Sequence, residues 1–307
     1  MPRKLQGIVT PLLTPFSADG ERVDLGAYRA LIDHVIAGGV HAIIANAATS
    51  EFTALDDAER MDLAATAIDQ ARGRVPVLIG ASSAATRGAV HWARHAKSLG
   101  ADGLLLTPTF YGRPTIDAVV RHYAAVSDAV DTPIMLYNAP YAQQMLLTPA
   151  DIIRIAERAN IPWVKLTTGV IDHVTLLRAM AGDRFAIFEG VDTLAFPSMA
   201  LGAVGWVAGP SNMIPEHAVE LWRLTCVAPD LKAARALNDR IDPIQRMATT
   251  PAIYYSWIKE ICRLRGLPLG SARNPGDPLT SEQVAHARKL ASALGLIDTP
   301  AARVKVA

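Results

Sequence analysis

Gly103-Leu104-Leu105-Leu106 is apolar at every position, and so is Ala42-Ile43-Ile44-Ala45. A strand wetted on one face alternates apolar and polar residues, so runs without alternation belong to a sheet covered on both faces, either doubly wound or closed as a barrel. Working outward, β-rich runs fall at 7–13, 42–46, 77–80, 103–106, 134–137, 163–166, 186–189 and 205–207. Between and after them lie segments of helical length at 25–37, 57–71, 86–99, 116–130, 149–159, 170–180, 193–201 and 214–227. Some open with cap chemistry: Asp56 precedes Glu59 by three, and Thr148 stands before Pro149. Eight strand–helix units predict an α/β fold, the (β/α)8 TIM barrel, whose active site lies beyond the strand C-termini. No strand signal returns after Leu231, and helical stretches follow near 231–247, 252–265 and 280–294. The expected organisation is a catalytic barrel over 1–228 and a C-terminal helical extension over 229–307, the latter an appendix without a separate function.

Half of the 307 residues are hydrophobic and 19% are charged, enough for a large core and unlike a disordered chain. Thirty Lys and Arg against 29 Asp and Glu leave a net charge of +1, without the basic patch of a nucleic-acid binder. The two cysteines, Cys226 and Cys262, form no framework or metal spacing and read as buried fillers. From Met1 through Pro2, Arg3 and Lys4 the chain runs straight into Gly7-Ile8-Val9 without a signal-peptide pattern, and no apolar run reaches membrane-spanning length. The expectation is a soluble cytoplasmic protein, bound to neither nucleic acid nor membrane, that takes a small-molecule ligand and needs no cofactor or metal.

In a barrel the chemistry belongs at strand ends. Those positions hold Thr49-Ser50-Glu51, Thr109-Phe110-Tyr111, Tyr137-Asn138, Lys165-Leu166-Thr167 and Glu189-Gly190-Val191-Asp192. Lys165 ends the apolar run Ile161-Pro162-Trp163-Val164-Lys165, where desolvation disfavours its charged form and leaves an amine able to attack a ketone. The competing reading is a lysine paired with a carboxylate such as Glu189 or reaching to solvent. Tyr137 closes the preceding strand, placed to move protons or simply buried with a satisfied hydroxyl.

Together, Gly7-Ile8-Val9-Thr10-Pro11-Leu12-Leu13-Thr14-Pro15-Phe16, the turn Tyr137-Asn138-Ala139-Pro140, and Lys165 placed 28 residues after Tyr137 resemble the dihydrodipicolinate synthase and N-acetylneuraminate lyase family. Gly190 and Leu201-Gly202-Ala203-Val204-Gly205 fall where that family has its later glycines. The resemblance implies a barrel with a C-terminal helical extension, a homotetramer (a dimer of dimers), and a lysine Schiff base with pyruvate or another 2-oxo acid. It implies Lys165 as the Schiff-base lysine, Tyr137 as the proton shuttle and Tyr111 as a second tyrosine contributed across a dimer interface. Ala48, Thr49, Thr167, Gly190 and Val207 are the candidate substrate-binding residues, Thr49 by offering its hydroxyl and amide to a carboxylate.

The departures matter as much. Where the family reads Gly-Thr-Thr-Gly-Glu or Gly-Ser-Thr-Gly-Glu, this chain reads Ala47-Ala48-Thr49-Ser50-Glu51, and Ala48 removes a hydroxyl from the proton relay, which is thus incomplete or rerouted. Ala142 stands where the synthases carry an arginine for the aldehyde's carboxylate, and Leu166 replaces an acidic neighbour of the lysine. The expectation is a carbon–carbon lyase or aldolase outside lysine biosynthesis, with Phe110 and Met145 lining an apolar mouth; Trp206 reads either as core packing or, if it faces the mouth, as part of that wall. Alternatives are a 2-keto-3-deoxy sugar acid dehydratase using the same lysine, a non-catalytic oxo-acid binder, and a divalent-metal aldolase. His91 and His95, four apart on a predicted helix, read as a solvated face, and Gly80-Ala81-Ser82-Ser83 as a plain turn.

Overall fold

The computed structural model describes residues 5–273 and 275–297; the reading of Met1–Lys4 and the end of the extension, 298–307, lie outside them. Eight parallel strands close in sequence order, β1 pairing with β8: β1 (Gly7–Pro11), β2 (Ala42–Ala45), β3 (Val77–Gly80), β4 (Gly103–Leu106), β5 (Ile134–Asn138), β6 (Trp163–Leu166), β7 (Ala186–Glu189) and β8 (Gly205–Val207). The helices are α1 (Leu25–Ala37), α2 (Asp57–Ala71), α3 (Thr86–Ser98), α4 (Ile116–Ala129), α5 (Pro140–Gln143), α6 (Pro149–Ala156), α7 (Asp172–Ala181), α8 (Ala195–Ala200) and α9 (Pro215–Trp222). A C-terminal helical part follows: α10 (Leu231–Ala248), α11 (Tyr254–Leu264) and α12 (Ser281–Ala293).

Successive strand residues point to opposite faces, which explains why these strands carry apolar residues throughout. Val9, Ile44, Leu78, Leu105, Met135, Trp163, Phe188 and Val207 fill the barrel interior. Their neighbours Ile8, Ile43, Ile79, Leu104, Leu136, Val164, Ile187 and Trp206 pack outward beneath the helices. Lys165 follows Trp163 by two and Tyr137 follows Met135 by two, so both continue the interior rows towards the mouth. Tyr137 pairs with Lys165 in register, and Lys165 with Phe188.

The structure shifts several boundaries. The run 7–13 leaves the sheet after Pro11, where Leu13 N–H turns to Asn212 Oδ1 (3.1 Å). β2 stops before Asn46, whose φ of 56° is left-handed. β5 gains Asn138, which accepts Thr167 N–H. The segment 193–201 is a 3-10 turn, Asp192–Leu194, and then α8; 214–227 closes in a π turn, Arg223–Val227, where Thr225 Oγ1 donates to the Leu221 carbonyl. α5 was not foreseen, being a single turn opened by Pro140.

α11 is fastened across the barrel mouth by a buried ion pair. Lys259 Nζ donates to Glu51 Oε1 and to the Ser271 carbonyl, each at 2.8 Å, and lies 4.5 Å from the Phe16 ring centroid. Glu51 Oε2 also accepts Arg273 N–H at 2.9 Å. Removing one partner strands the other's charge, so Glu51→Ala is expected to cost about 3–5 kcal/mol, whereas Glu51→Gln with Lys259→Met costs less than the two single changes summed. Denaturant unfolding of the native protein, the three single variants and the double variant measures this.

Candidate active site

A cavity of about 310 Å³ opens at the C-terminal ends of the strands. Lys165, Tyr137 and Val207 reach it from strands β6, β5 and β8, with Ala48 and Thr49 from the loop after β2, Thr167 after β6, and Gly190, Val191 and Asp192 after β7. The C-terminal part closes the far side with Ala248, Thr249, Tyr254 and Tyr255. The C-terminal part, expected to be an appendix without a separate function, thus supplies a wall of this cavity.

Lys165 is 5% exposed, and its Nζ lies 4.1 Å from the centroid of the Tyr137 ring. Burial lowers its pKa to about 8, although Asp192 and then Glu189 pull the other way. The reading in which Lys165 pairs with Glu189 does not hold. The Glu189 carboxylate faces outward, accepting the Gly190 and Val191 N–H groups (2.9 and 2.7 Å) and Ser198 Oγ–H (2.5 Å). A partly desolvated amine beside a phenol is thus left facing open space, an arrangement able to attack a carbonyl carbon and pass protons to its oxygen.

Asp192 is the acid that the sequence left without a role. Burial pushes it up to about 7, against the Trp206 Nε1–H donated to its Oδ1 at 3.1 Å and the pull of Lys165. Of the two readings of Trp206, core packing is the one found: it faces outward from β8, is fully buried and donates to Asp192 without lining the mouth. Phe110 and Met145 do not line the cavity either: Phe110 stacks edge-on against Phe52 (5.7 Å) and Met145 packs on the outer core. Neutral aromatics still form part of the wall, as Tyr254 and Tyr255. Tyr254 Oη lies 3.4 Å from Thr49 Oγ1, and Tyr255 donates to the Ala48 carbonyl at 3.1 Å. A pair of adjacent tyrosines at the start of a helix was the available signal, but nothing local places that helix over the mouth.

The remaining candidates divide. Ala48, Thr49, Thr167, Gly190 and Val207 all line the cavity with Lys165 and Tyr137. Tyr111 does not; within one chain it stands on the surface, 86% exposed. The hydroxyl bonded to Tyr137 Oη belongs instead to Tyr141, at 2.8 Å. Away from the cavity, His91 lies edge-on to Trp92 (5.0 Å), and the described residues contain no group of three His, Cys, Asp or Glu side chains placed to hold a metal ion.

Gly190 is fixed by contact. A Cβ there meets Lys165 Cε at 2.7 Å and Thr167 Oγ1 at 2.0 Å. Gly190→Ala is expected to displace Lys165 and lower its borohydride-trapped condensation with a small keto acid by about a hundredfold, with far-UV dichroism unchanged. Unchanged trapping contradicts the close approach.

With the geometry in hand, comparison with known proteins is direct. Residues 4–294 match the profile of the dihydrodipicolinate synthetase family. A 4-hydroxy-tetrahydrodipicolinate synthase from Trichlorobacter lovleyi is 36% identical over 76% of this chain and 79% of its own length. The enzyme of the same name from Acidiphilium cryptum is 34% identical over 87% and 94%. The structure superposes on a prophage protein of E. coli K12 in complex with pyruvate, belonging to the dihydrodipicolinic acid synthase family, with a TM-score of 0.90, 30% identity and coverage of 95% and 99%. It also superposes on the Acinetobacter baumannii dihydrodipicolinate synthase complexed with pyruvate, with a TM-score of 0.89, 29% identity and the same coverage. The chain belongs to the dihydrodipicolinate synthetase family.

Proposed function

We propose that this chain is a class I lyase that joins Lys165 to pyruvate or another 2-oxo acid as a Schiff base and then makes or breaks a carbon–carbon bond. The observation that carries the proposal is the buried amine of Lys165, lowered to about 8 and open to a cavity beside Tyr137. The neutral amine adds to the ketone carbon, Tyr137 protonates the departing hydroxyl, and water leaves as the iminium forms. The iminium draws electrons from the adjacent carbon, the role a divalent ion fills in metal-dependent aldolases. The Thr49 and Thr167 hydroxyls on the cavity wall offer donors for the oxo-acid carboxylate.

The second substrate meets a wall that is mostly neutral. Among the described residues lining the cavity the charged types are Lys165 and Asp192 alone, so a carboxylate carried by the second substrate meets no arginine of that lining and faces an acid. The reading is accordingly a partner less anionic than aspartate semialdehyde. The relatives named above carry the synthase name, and the comparisons lend no support to separating this chain from lysine biosynthesis; that separation rests on Ala142 and the cavity lining. A dehydratase acting on a 2-keto-3-deoxy sugar acid uses the same Schiff base and is a second outcome of the assay below. The homotetramer implied by the resemblance belongs to the same proposal and is tested by sedimentation equilibrium.

Incubation with pyruvate and borohydride should add mass at Lys165 and at no other residue, with none in Lys165→Ala. Across a panel of aldehydes offered with pyruvate, neutral members should exceed aspartate semialdehyde by roughly ten- to a hundredfold in kcat/KM, the worth of one absent charge-assisted hydrogen bond. Absence of the adduct refutes the Schiff-base reading. A preference for aspartate semialdehyde refutes the substrate reading and directs attention to Arg113, whose Nε lies 3.4 Å from Gln144 Oε1.

A further inference from the structure

Tyr137 is buried, and a buried phenol that trades protons with a substrate needs a route to water. Ala48, which lines the same cavity, has no hydroxyl. Tyr141 supplies one from the same chain: its Oη lies 2.8 Å from Tyr137 Oη, while the residue as a whole is 69% exposed. This juxtaposition is built into the local fold. Pro140 opens the single turn of α5, which brings Tyr141 back over the end of β5. Gln143 Nε2 donates to the Tyr137 carbonyl at 2.5 Å. Asn138 clamps the far end of the loop by donating to the Leu147 carbonyl (2.8 Å) and accepting Leu147 N–H (3.3 Å). Tyr141 also lines the cavity, and although burial raises its own phenol above the usual range, one side chain joins the buried Tyr137 hydroxyl to the exposed rim.

We infer that Tyr141 is the proton relay between Tyr137 and solvent, replacing in cis the hydroxyl that Ala48 lacks. The inference rests on the Schiff-base reading above and deepens it. Once the iminium has formed, Tyr137, left as phenolate after protonating the departing hydroxyl, takes a proton from the carbon next to the iminium, giving a neutral enamine and a neutral phenol. Tyr137 then gives its proton to Tyr141 Oη as Tyr141 gives its own to water. A solvent proton returns by the reverse path to the enamine carbon. The C–H electron pair becomes the C=C bond of the enamine as the C=N π pair returns to nitrogen, the other changes are confined to O–H bonds, and nothing is oxidised. Tyr141 acts through Tyr137 and is a positioning and relay residue; it need not touch the substrate.

The test needs no knowledge of the second substrate. The full-length protein is incubated with pyruvate in deuterium oxide, and loss of the methyl proton signal is followed by NMR, alongside the equilibrium yield of borohydride-trapped adduct. Tyr141→Phe keeps the ring and removes only the hydroxyl. It is expected to slow methyl exchange by roughly ten- to a hundredfold, leave the adduct yield and melting temperature unchanged, and be partly restored by added imidazole buffer, to which the native protein is insensitive. A merely structural contribution would not give rescue by a small proton carrier. Tyr141→Phe exchanging at the native rate, or slowing without imidazole rescue, overturns the relay while the native adduct leaves the Schiff-base reading standing. No adduct and no exchange in the native protein overturns both.

Discussion

The site depends on keeping one ammonium group out of water. An amine is a nucleophile only when unprotonated, and at neutral pH an ordinary lysine is almost wholly charged. β6 solves this by position: Lys165 extends the interior row begun by Trp163, so its side chain rises through a closed, apolar barrel before reaching the cavity. Desolvation there outweighs the attraction of two acids and brings the amine to about 8. The acids are managed so as not to undo this. Glu189, directed outward by strand alternation, is occupied by two backbone N–H groups and Ser198, while Asp192 is tied to Trp206 and itself pushed up to about 7. A Lys165–Glu189 ion pair would have held the amine protonated.

The C-terminal helices complete the site by closing it. The Lys259–Glu51 pair joins α11 to the loop after β2, and the same loop presents Ala48 and Thr49 to the cavity. Tyr254 and Tyr255 reach the loop at its other face, and a Cβ on Gly209 would lie 1.9 Å from Tyr254 Oη, so the wall rests directly on the backbone after β8. The charges of Glu51 and Lys259 thus fix the placement of neutral groups that shape the pocket. Stability of the C-terminal part and geometry of the site are one property in this chain.

The barrel was legible because its signals are local and repeated: apolar strands, helical segments between them, and turn chemistry at regular intervals. Lys165 and Tyr137 were legible as strand-end residues, since alternation and barrel topology together dictate where they point. Trp206 could be read for either face because it sits one residue from Val207, and a single step along a strand reverses the face; strand register decides for the core. Tyr141 was hidden by a four-residue helix too short to show a period, and Tyr254 and Tyr255 by a contact spanning some 200 residues of sequence, which no local pattern encodes. Tyr111 was placed by resemblance alone, and within one chain it lies outside the cavity.

The central claim is that burial brings Lys165 down to titrate near pH 8, so that an appreciable fraction of the amine is already neutral just above neutrality. Carbon-13 NMR of protein labelled at lysine Cε, with the Lys165 signal assigned by its absence in Lys165→Met, measures this directly. The account predicts a midpoint near pH 8, so that the neutral amine accumulates as pH rises through that value, and a lower midpoint in Asp192→Asn, where an anion that favours the charged form is gone. A Lys165 midpoint in the ordinary lysine range, about 10.4, contradicts it.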